Sequence, residues 1–189
     1  MPVRWIAPVG LVIALGGLMV TVTTALNAQV RSNDAAVTMM DDCSPADGGY
    51  NAVGGCPEGA PFPGSSSYRG DVTLAEFFDL LVSPRAPGQI IGHPSWRNEP
   101  SYLSIRAGQN LRVTNRGGRG HTFTKVADFG GGFVGLLNGQ MEQAPECNPQ
   151  QVTLLLYGEA QTLQNLDPGE LHKFQCCIHP WMRAAVRVD

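Results

Sequence analysis

Four side chains have the types and the spacing of ligands for one metal ion. Cys176, His179 and Met182 offer a thiol, an imidazole and a thioether at the spacing Cys-x-x-His-x-x-Met. A second imidazole, His121, opens an alternating apolar and polar segment far upstream. Two histidines and one cysteine around an ion, with a weak methionine ligand, are typical of blue copper sites. The thiolate and the thioether are soft ligands that suit Cu(I), and imidazole also suits copper.

The order of these residues favours electron transfer over catalysis. Cys176 ends a predicted strand, and His179 and Met182 follow it in a tight loop that Pro180 stiffens. Ligands held in this way keep nearly the same geometry in both oxidation states, as a one-electron carrier requires. Trp181, in the same loop, is expected to cover the site, because burial tunes a metal's potential. Since no ligand position is obviously left for water or substrate, we expect a carrier and not an enzyme.

The segments that must position these ligands are predicted to be short strands. After Pro87, apolar runs and alternating patterns are separated by turn residues, with no long helical period. This texture is typical of an all-β sandwich or barrel. Residues 152–156 fit either a strand or a short helical turn. The other predicted strands lie within residues 89–91, 102–105, 111–114, 121–126, 161–166, 171–177 and 184–188.

Two further segments complete the predicted architecture. Thr73-Leu74-Ala75-Glu76 has the form of a capping box and predicts a short helix that ends by Pro84. Residues 127–150 are rich in glycine, and loops of this length in a compact domain tend to be functional or mobile.

From about Gln89 onward, the chain resembles the cupredoxins, which are small blue copper electron-transfer proteins. The motif Cys176-x-x-His179-Pro180-x-Met182 looks like the short ligand loop of the amicyanin type. The turn Asp167-Pro168-Gly169-Glu170 and the stretch from Asn115 to His121-Thr122-Phe123 also match the family's layout. The resemblance implies a Greek-key β-sandwich that binds one type 1 copper ion per chain. The ligands that it implies are His121, Cys176, His179 and the weak axial Met182.

The five cysteines can be assigned around this site. Cys43 and Cys56 have twelve residues between them, which predicts a disulfide that closes a surface loop. If two of the remaining three pair, a metal-bound thiolate accounts for the odd one. Successive strand residues point to opposite faces, so Cys176 and Cys177 do not easily serve the same site. Our hypothesis assigns Cys176 to copper and pairs Cys177 with Cys147; neither Cys177 nor Cys147 belongs to the minimal family pattern.

Other copper chemistries fit the sequence less well. A copper enzyme such as a nitrite reductase needs further histidine ligands, and only His93 and His172 remain. Both are expected to be ordinary core or surface residues, although His172 shares strand parity with Cys176 and is the fallback ligand. A binuclear site needs two cysteines spaced to bridge two ions, which Cys176 and the adjacent Cys177 do not offer. A purely structural disulfide-bonded sandwich leaves the Cys/His/Met loop unexplained.

The amino-terminal part has the composition of an export segment followed by a linker. Residues 5–30 contain no charged side chain, which predicts a signal peptide or a membrane anchor over residues 1–28. Residues 29–70 are acidic and rich in Gly, Pro and Ser, so we expect a linker there and the cupredoxin domain over 71–189. Whether residues 1–28 are cleaved as a signal peptide or kept as an anchor, the domain is expected in a periplasmic or extracellular location, where disulfides are permitted.

Charge and composition narrow the possible partners. The chain of 189 residues has a net charge of -3, which excludes a strongly basic nucleic-acid binder. With 43% hydrophobic and 15% charged residues, it is neither a disordered acidic chain nor a polytopic membrane protein. Five basic and no acidic residues lie between Ser101 and Lys125. Among them, Arg116 and Arg119 precede His121 and could form a docking patch for an acidic redox partner.

These observations together predict an exported mononuclear copper protein that carries one electron between redox partners. The alternative is a copper-binding module for copper trafficking or resistance that uses the same four ligands. An accessible, exchangeable site would indicate the alternative, whereas a closed shell of ligands would indicate the carrier.

Overall fold

The computed structural model of the chain describes residues 34–56, 70–82 and 89–189. The predicted signal peptide or anchor, residues 1–28, lies outside the described residues. Ten strands and one α-helix are formed in the described part. The strands are β1 Ala35–Met40, β2 Arg97–Glu99, β3 Tyr102–Ile105, β4 Leu111–Asn115, β5 His121–Thr122, β6 Thr124–Val126, β7 Leu154–Leu155, β8 Ala160–Leu163, β9 Leu171–Gln175 and β10 Arg183–Val188.

Two four-stranded sheets form a sandwich. The first sheet has the order β2-β1-β4-β8, and the second has the order β3-β10-β9-β6. Each sheet is mixed, because β1 runs parallel to β4 and β10 runs parallel to β3, while the other pairs are antiparallel. A separate antiparallel pair, β5 with β7, lies outside the two sheets. The all-β sandwich predicted from the sequence is therefore confirmed.

The core lies between the sheets because alternate residues of the strands point inward. Val37 of β1 and Val113 of β4 face the core from the first sheet, and Phe174 of β9 and Val186 of β10 face it from the second. All four belong to one continuous cluster of buried side chains, and each is at most 1% exposed. This cluster fixes the two sheets relative to each other.

The helix α1, Leu74–Leu81, confirms the capping-box prediction. The Thr73 side chain accepts a hydrogen bond from the Glu76 backbone N–H at 3.2 Å, which satisfies one free donor of the first turn. The helix ends at Leu81, before Pro84, which lies outside the described residues. Among the residues that the structure describes, no helix is long and apolar enough to cross a bilayer.

The assignment of residues 29–70 to a linker is wrong for residues 35–56. Ala35–Met40 forms β1, an interior strand between β2 and β4, and Gly48–Val53 forms a 3-10 helix. The composition of residues 29–70 is polar overall. The short run around Val37 and Met39 is nevertheless enough to form a strand, because β2 and β4 flank it and pair with its backbone. Residues 57–69 lie outside the described part.

The glycine-rich stretch 127–150 is folded back onto the second sheet. The backbone N–H of Phe133 donates to the carbonyl of Cys177 at 2.8 Å. The buried side chain of Gln175 accepts from the Gly130 N–H at 3.0 Å and donates to carbonyls of the same stretch. A 3-10 helix, Gly135–Leu137, lies in its middle. These contacts place the stretch beside the segment that follows β9.

Candidate metal centre

His121, Cys176 and His179 come together in the interior. Their donor atoms all lie within 4.8 Å of one another. The Nδ1 atoms of His121 and His179 lie 3.8 Å and 3.7 Å from the Cys176 sulfur. His121 and Cys176 are 0% exposed, and His179 is 4% exposed. Three of the four residues that the sequence suggested as ligands thus form one buried group.

Two elements bring these side chains together. His121 begins β5, where it pairs with Leu155 of β7. Cys176 directly follows β9, and the segment Cys176–Met182, called the ligand loop below, turns back into β10. The loop is closed by two backbone hydrogen bonds, from Cys176 N–H to the Met182 carbonyl at 3.0 Å and from Met182 N–H to the His179 carbonyl at 2.9 Å.

Met182 lies at the end of the ligand loop and is 1% exposed. Its backbone is hydrogen-bonded to the backbones of Cys176 and His179. It also belongs to the continuous apolar core. Its role as an axial ligand stays a prediction.

Two backbone N–H groups point at the Cys176 sulfur. The N–H of Thr122 points to it at 3.4 Å, and the N–H of His179 points to it at 3.5 Å. The Thr122 hydroxyl oxygen accepts a hydrogen bond from the Cys177 N–H at 2.8 Å, which ties β5 to the ligand loop. Donors aimed at a sulfur favour the thiolate, which is the form that binds metal.

Asp41 contacts the site and was missed in the sequence. Its Oδ2 lies 2.7 Å from Nε2 of His121, and both side chains are fully buried. A signal was present, because Val37, Met39 and Asp41 share the inward parity of one strand. A carboxylate at a position that continues a buried face needs a partner inside the protein.

The electrostatics of the metal-free group favour a thiolate beside a protonated His121 and a neutral His179. Burial raises the pKa of Cys176, but hydrogen bonds and charge from His121 and His179 hold it well below its usual range. Burial lowers the pKa of His121, yet Asp41 and Cys176 outweigh this and raise it to about 9. Burial also raises the pKa of Asp41, and His121 reverses this and lowers it to about 2. Burial lowers the pKa of His179, which keeps this imidazole neutral.

Both predicted disulfides are confirmed. Cys43 pairs with Cys56, and Cys147 pairs with Cys177 across a Cα–Cα distance of 5.2 Å. Cys176 carries a free, buried thiol. Adjacent cysteines therefore serve different purposes, as strand alternation predicts.

The other two histidines lie outside the three-donor group. His93 is buried and stacks on Phe77, with ring centroids 5.9 Å apart, and its Nδ1 accepts from the Ser95 N–H. His172 is buried at β9, where its Nε2 lies 2.9 Å from the Asp167 carbonyl oxygen. Both are packed among residues of the core.

Aromatic side chains surround His179. The rings of Trp181 and Trp96 lie 5.6 Å and 6.4 Å from the His179 ring, so Trp181 contacts the site as expected. A cavity of about 320 Å³ borders His179, and its walls include Phe77 of α1 and Phe133 of the glycine-rich stretch. These neighbours limit the contact of His179 with solvent.

The two arginines before His121 differ in their surroundings. Arg116 is exposed. Arg119 is half-buried, and its guanidinium donates hydrogen bonds to the carbonyls of Val53 and Gly55 and lies 5.9 Å from the Tyr50 ring centroid. Arg119 therefore ties the loop closed by the first disulfide to the approach of β5.

The donor set fits a single copper ion. Donors 3.7–3.8 Å apart can share one ion at metal–ligand bond lengths of about 2.0–2.3 Å. One thiolate and two imidazoles are the trigonal ligands of blue copper sites. The second ring nitrogen of His121, Nε2, is hydrogen-bonded to the Asp41 carboxylate, and such a hydrogen bond is usual for a metal-bound histidine.

The chain is similar to solved structures of other proteins, but at low sequence identity. No family model matches the chain, and no curated protein matches it. A purple cupredoxin from Nitrosopumilus maritimus is 16% identical with a TM-score of 0.40, over 82% of this chain and 100% of that one. A reduced amicyanin variant is 20% identical with a TM-score of 0.32, over 55% of this chain and 76% of that one. Another is 22% identical with a TM-score of 0.34, over 55% and 85%. The ligand assignments therefore depend on the chain's own residues.

Proposed function

We propose that this chain is an exported mononuclear type 1 copper protein that carries one electron between redox partners. The observation that supports this most is the buried group of His121, Cys176 and His179, in which Cys176 is the free thiol. The proposed fourth ligand is Met182, whose sulfur would bind weakly and tune the potential. Copper bound there would supply a one-electron Cu(II)/Cu(I) couple.

The chain's own residues fix the ligands before any metal binds. Strand β5 sets His121, the closed ligand loop sets His179, and backbone N–H groups hold the Cys176 sulfur in place. Such a set moves little between oxidation states, so little energy is spent on rearrangement during electron transfer. Burial of all three donors excludes water, which favours a carrier over a trafficking module with an exchangeable site.

Export is supported by the disulfides. The two disulfides, Cys43–Cys56 and Cys147–Cys177, fit an oxidising compartment such as the periplasm or the extracellular space. The proposed route is a signal peptide or anchor over residues 1–28.

The proposed redox partner carries an acidic surface. Arg116 is the exposed cation of the pair before His121, whereas Arg119 is engaged in hydrogen bonds of its own. Arg116→Glu should therefore slow electron transfer to an acidic partner at low salt, and Arg106→Glu, at another exposed arginine, is the comparison.

The test is the visible absorption spectrum of the full chain loaded with Cu(II). We expect an intense thiolate-to-copper band that ascorbate bleaches, that Cys176→Ser abolishes and that Met141→Leu leaves unchanged. Met182→Leu should keep the band but shift its position and raise the potential. The proposal fails if the folded, copper-treated protein is colourless. Rapid loss of copper to a chelator would favour the trafficking module.

A further inference from the structure

The second nitrogen of His121 faces a carboxylate that no part of the ligand motif supplies. Asp41 Oδ2 lies 2.7 Å from His121 Nε2, across 80 positions of sequence, and both side chains are 0% exposed. A fully buried carboxylate is costly unless it is paired and hydrogen-bonded, so its place here needs a physical reason.

The carboxylate is held by backbone donors on every side. Oδ1 accepts from the N–H of Gly118 at 3.0 Å and from that of Cys43 at 3.2 Å. Oδ2 accepts from the N–H of Arg119 at 2.9 Å in addition to His121. Neither oxygen can rotate away without leaving a buried donor unpaired.

This arrangement fixes the orientation of the imidazole. Because an ionised carboxylate only accepts hydrogen bonds, His121 must donate from Nε2. Nδ1 then faces the Cys176 sulfur, 3.8 Å away, where the proposed metal would take the place of the Nδ1 proton. Carboxylates that hold metal-bound histidines in this way orient the ring and increase its basicity.

The backbone at Gly117 packs closely against the carboxylate. A Cβ on Gly117 would overlap Asp41 Oδ2 and the Asp41 backbone nitrogen. The chain therefore approaches the carboxylate as closely as a glycine allows.

We infer that Asp41 is a positioning residue of the metal centre, which orients His121 through Nε2 and places a fixed negative charge behind that ligand. The inference rests on the proposed function, because it assumes that His121 binds copper. A negative charge close to the ion stabilises Cu(II) over Cu(I). The segment of residues 35–56 is in this way part of the proposed metal centre and not only of the scaffold.

The decisive variant is Asp41→Asn, with Asp42→Asn as the matched control. Asp42 is the next residue, is only half-buried and loses the same charge. For Asp41→Asn we expect the Cu(II)/Cu(I) equilibrium to shift about tenfold toward Cu(I), a rise of about 59 mV for a one-electron couple. We also expect the affinity for Cu(II) to fall about 10- to 100-fold. Asp42→Asn should change the equilibrium less than about twofold, because its charge is screened by solvent.

A purely structural role for Asp41 predicts a different result. A folded Asp41→Asn protein with a lower melting temperature but the wild-type potential and copper affinity would overturn the inference. If Asp41→Asn does not fold, nitrogen NMR of the wild-type Cu(I) protein decides the question. We expect a proton on His121 Nε2 that exchanges slowly; an unprotonated Nε2 would overturn the inference. The proposed function fails separately, when the wild-type protein shows no copper band.

Discussion

The two histidines of the candidate metal centre are positioned by two very different regions. His179 lies within the ligand loop, three residues after Cys176, and the loop's own backbone bonds hold it. His121 is held from outside, by Asp41 in the amino-terminal segment, which here means residues 35–56. One region is a local motif, and the other is a scaffold that reaches the site across 80 positions of sequence.

Each region is closed by its own disulfide. Cys43–Cys56 closes the amino-terminal segment, and Arg119 bonds that loop to the chain just before His121. Cys147–Cys177 fastens the glycine-rich stretch to the residue beside Cys176. The difference teaches that a short motif can supply the ligands while distant parts of the fold decide how firmly each is held.

The largest expected effect comes from removing each disulfide in turn. The chain-entropy model gives a loss in unfolding free energy of about 3 kcal/mol for Cys43→Ala/Cys56→Ala and about 3.7 kcal/mol for Cys147→Ala/Cys177→Ala. Urea unfolding of the metal-free proteins measures both values. In the copper-loaded proteins, loss of the first disulfide should weaken copper binding through Asp41, and loss of the second should shift the thiolate band through Cys176.

Identical spectra and copper affinities in both double variants would contradict this division of roles. The matching single variants Cys43→Ala and Cys147→Ala would leave a free thiol that could compete for copper, so the double variants are the proper comparison.

Substitutions at two glycines should each disturb only one of the two regions, with a smaller loss of stability than removal of a disulfide. A Cβ on Gly117 would overlap Asp41, and a Cβ on Gly132 would overlap the Cys177 carbonyl. Alanine at either position should therefore cost about 1–3 kcal/mol of unfolding free energy through overpacking. Gly135→Ala is the control, because no heavy atom lies within 4 Å of its Cβ position.

Potentiometry of the copper-loaded glycine variants then sharpens the comparison. Gly117→Ala should shift the potential by displacing Asp41, whereas Gly132→Ala should act mainly on the absorption band. A potential that is unchanged in Gly117→Ala, despite lowered stability, would mean that the position of Asp41 does not matter to the metal.

The ligand loop could be predicted because its chemistry is local. Cys176, His179 and Met182 are uncommon residues at short, regular spacing, so the motif needs no knowledge of the fold. His121 could be predicted from the resemblance to a family pattern. The parity of Asp41 with Val37 and Met39 indicates that it is buried, but its partner could not be predicted, because the pairing of β1 with β4 brings it to His121 and nothing near it in sequence indicates that pairing.

The boundary of the domain was predicted less well for a related reason. Composition averages over a window, and residues 29–70 are polar on average. A single buried pair, Val37 and Met39, nevertheless secures β1 when strands flank it on both sides. Likewise the hydrogen bonds of Arg119 to Val53 and Gly55 could not be predicted, because they depend on a loop 64 to 66 positions away.

The smallest effect expected in the wild-type protein is its dependence on pH, which tests whether both regions act on the same imidazole. In the metal-free protein His121 has a pKa of about 9 against 6.5 when unfolded, so its stabilisation is present below pH 6.5 and is lost as the pH rises through 9. Cys176 has a pKa well below the unfolded value of 9.0, so its stabilisation is lost as the pH falls. Between pH 6.5 and 9 the two slopes have opposite signs, because folding only moves a proton from the thiol to the imidazole.

The wild-type free energy of unfolding should therefore change little with pH across this window. In Cys176→Ser the thiol is gone, but Asp41 still favours the charged imidazole, so stability should fall with pH by up to about 1.4 kcal/mol per unit. Urea unfolding of both metal-free proteins at several pH values gives the difference, in which the other titrating groups cancel. If Cys176→Ser is as flat as the wild type, Asp41 alone does not keep His121 doubly protonated in the metal-free protein, and the raised pKa of this imidazole depends on the thiolate.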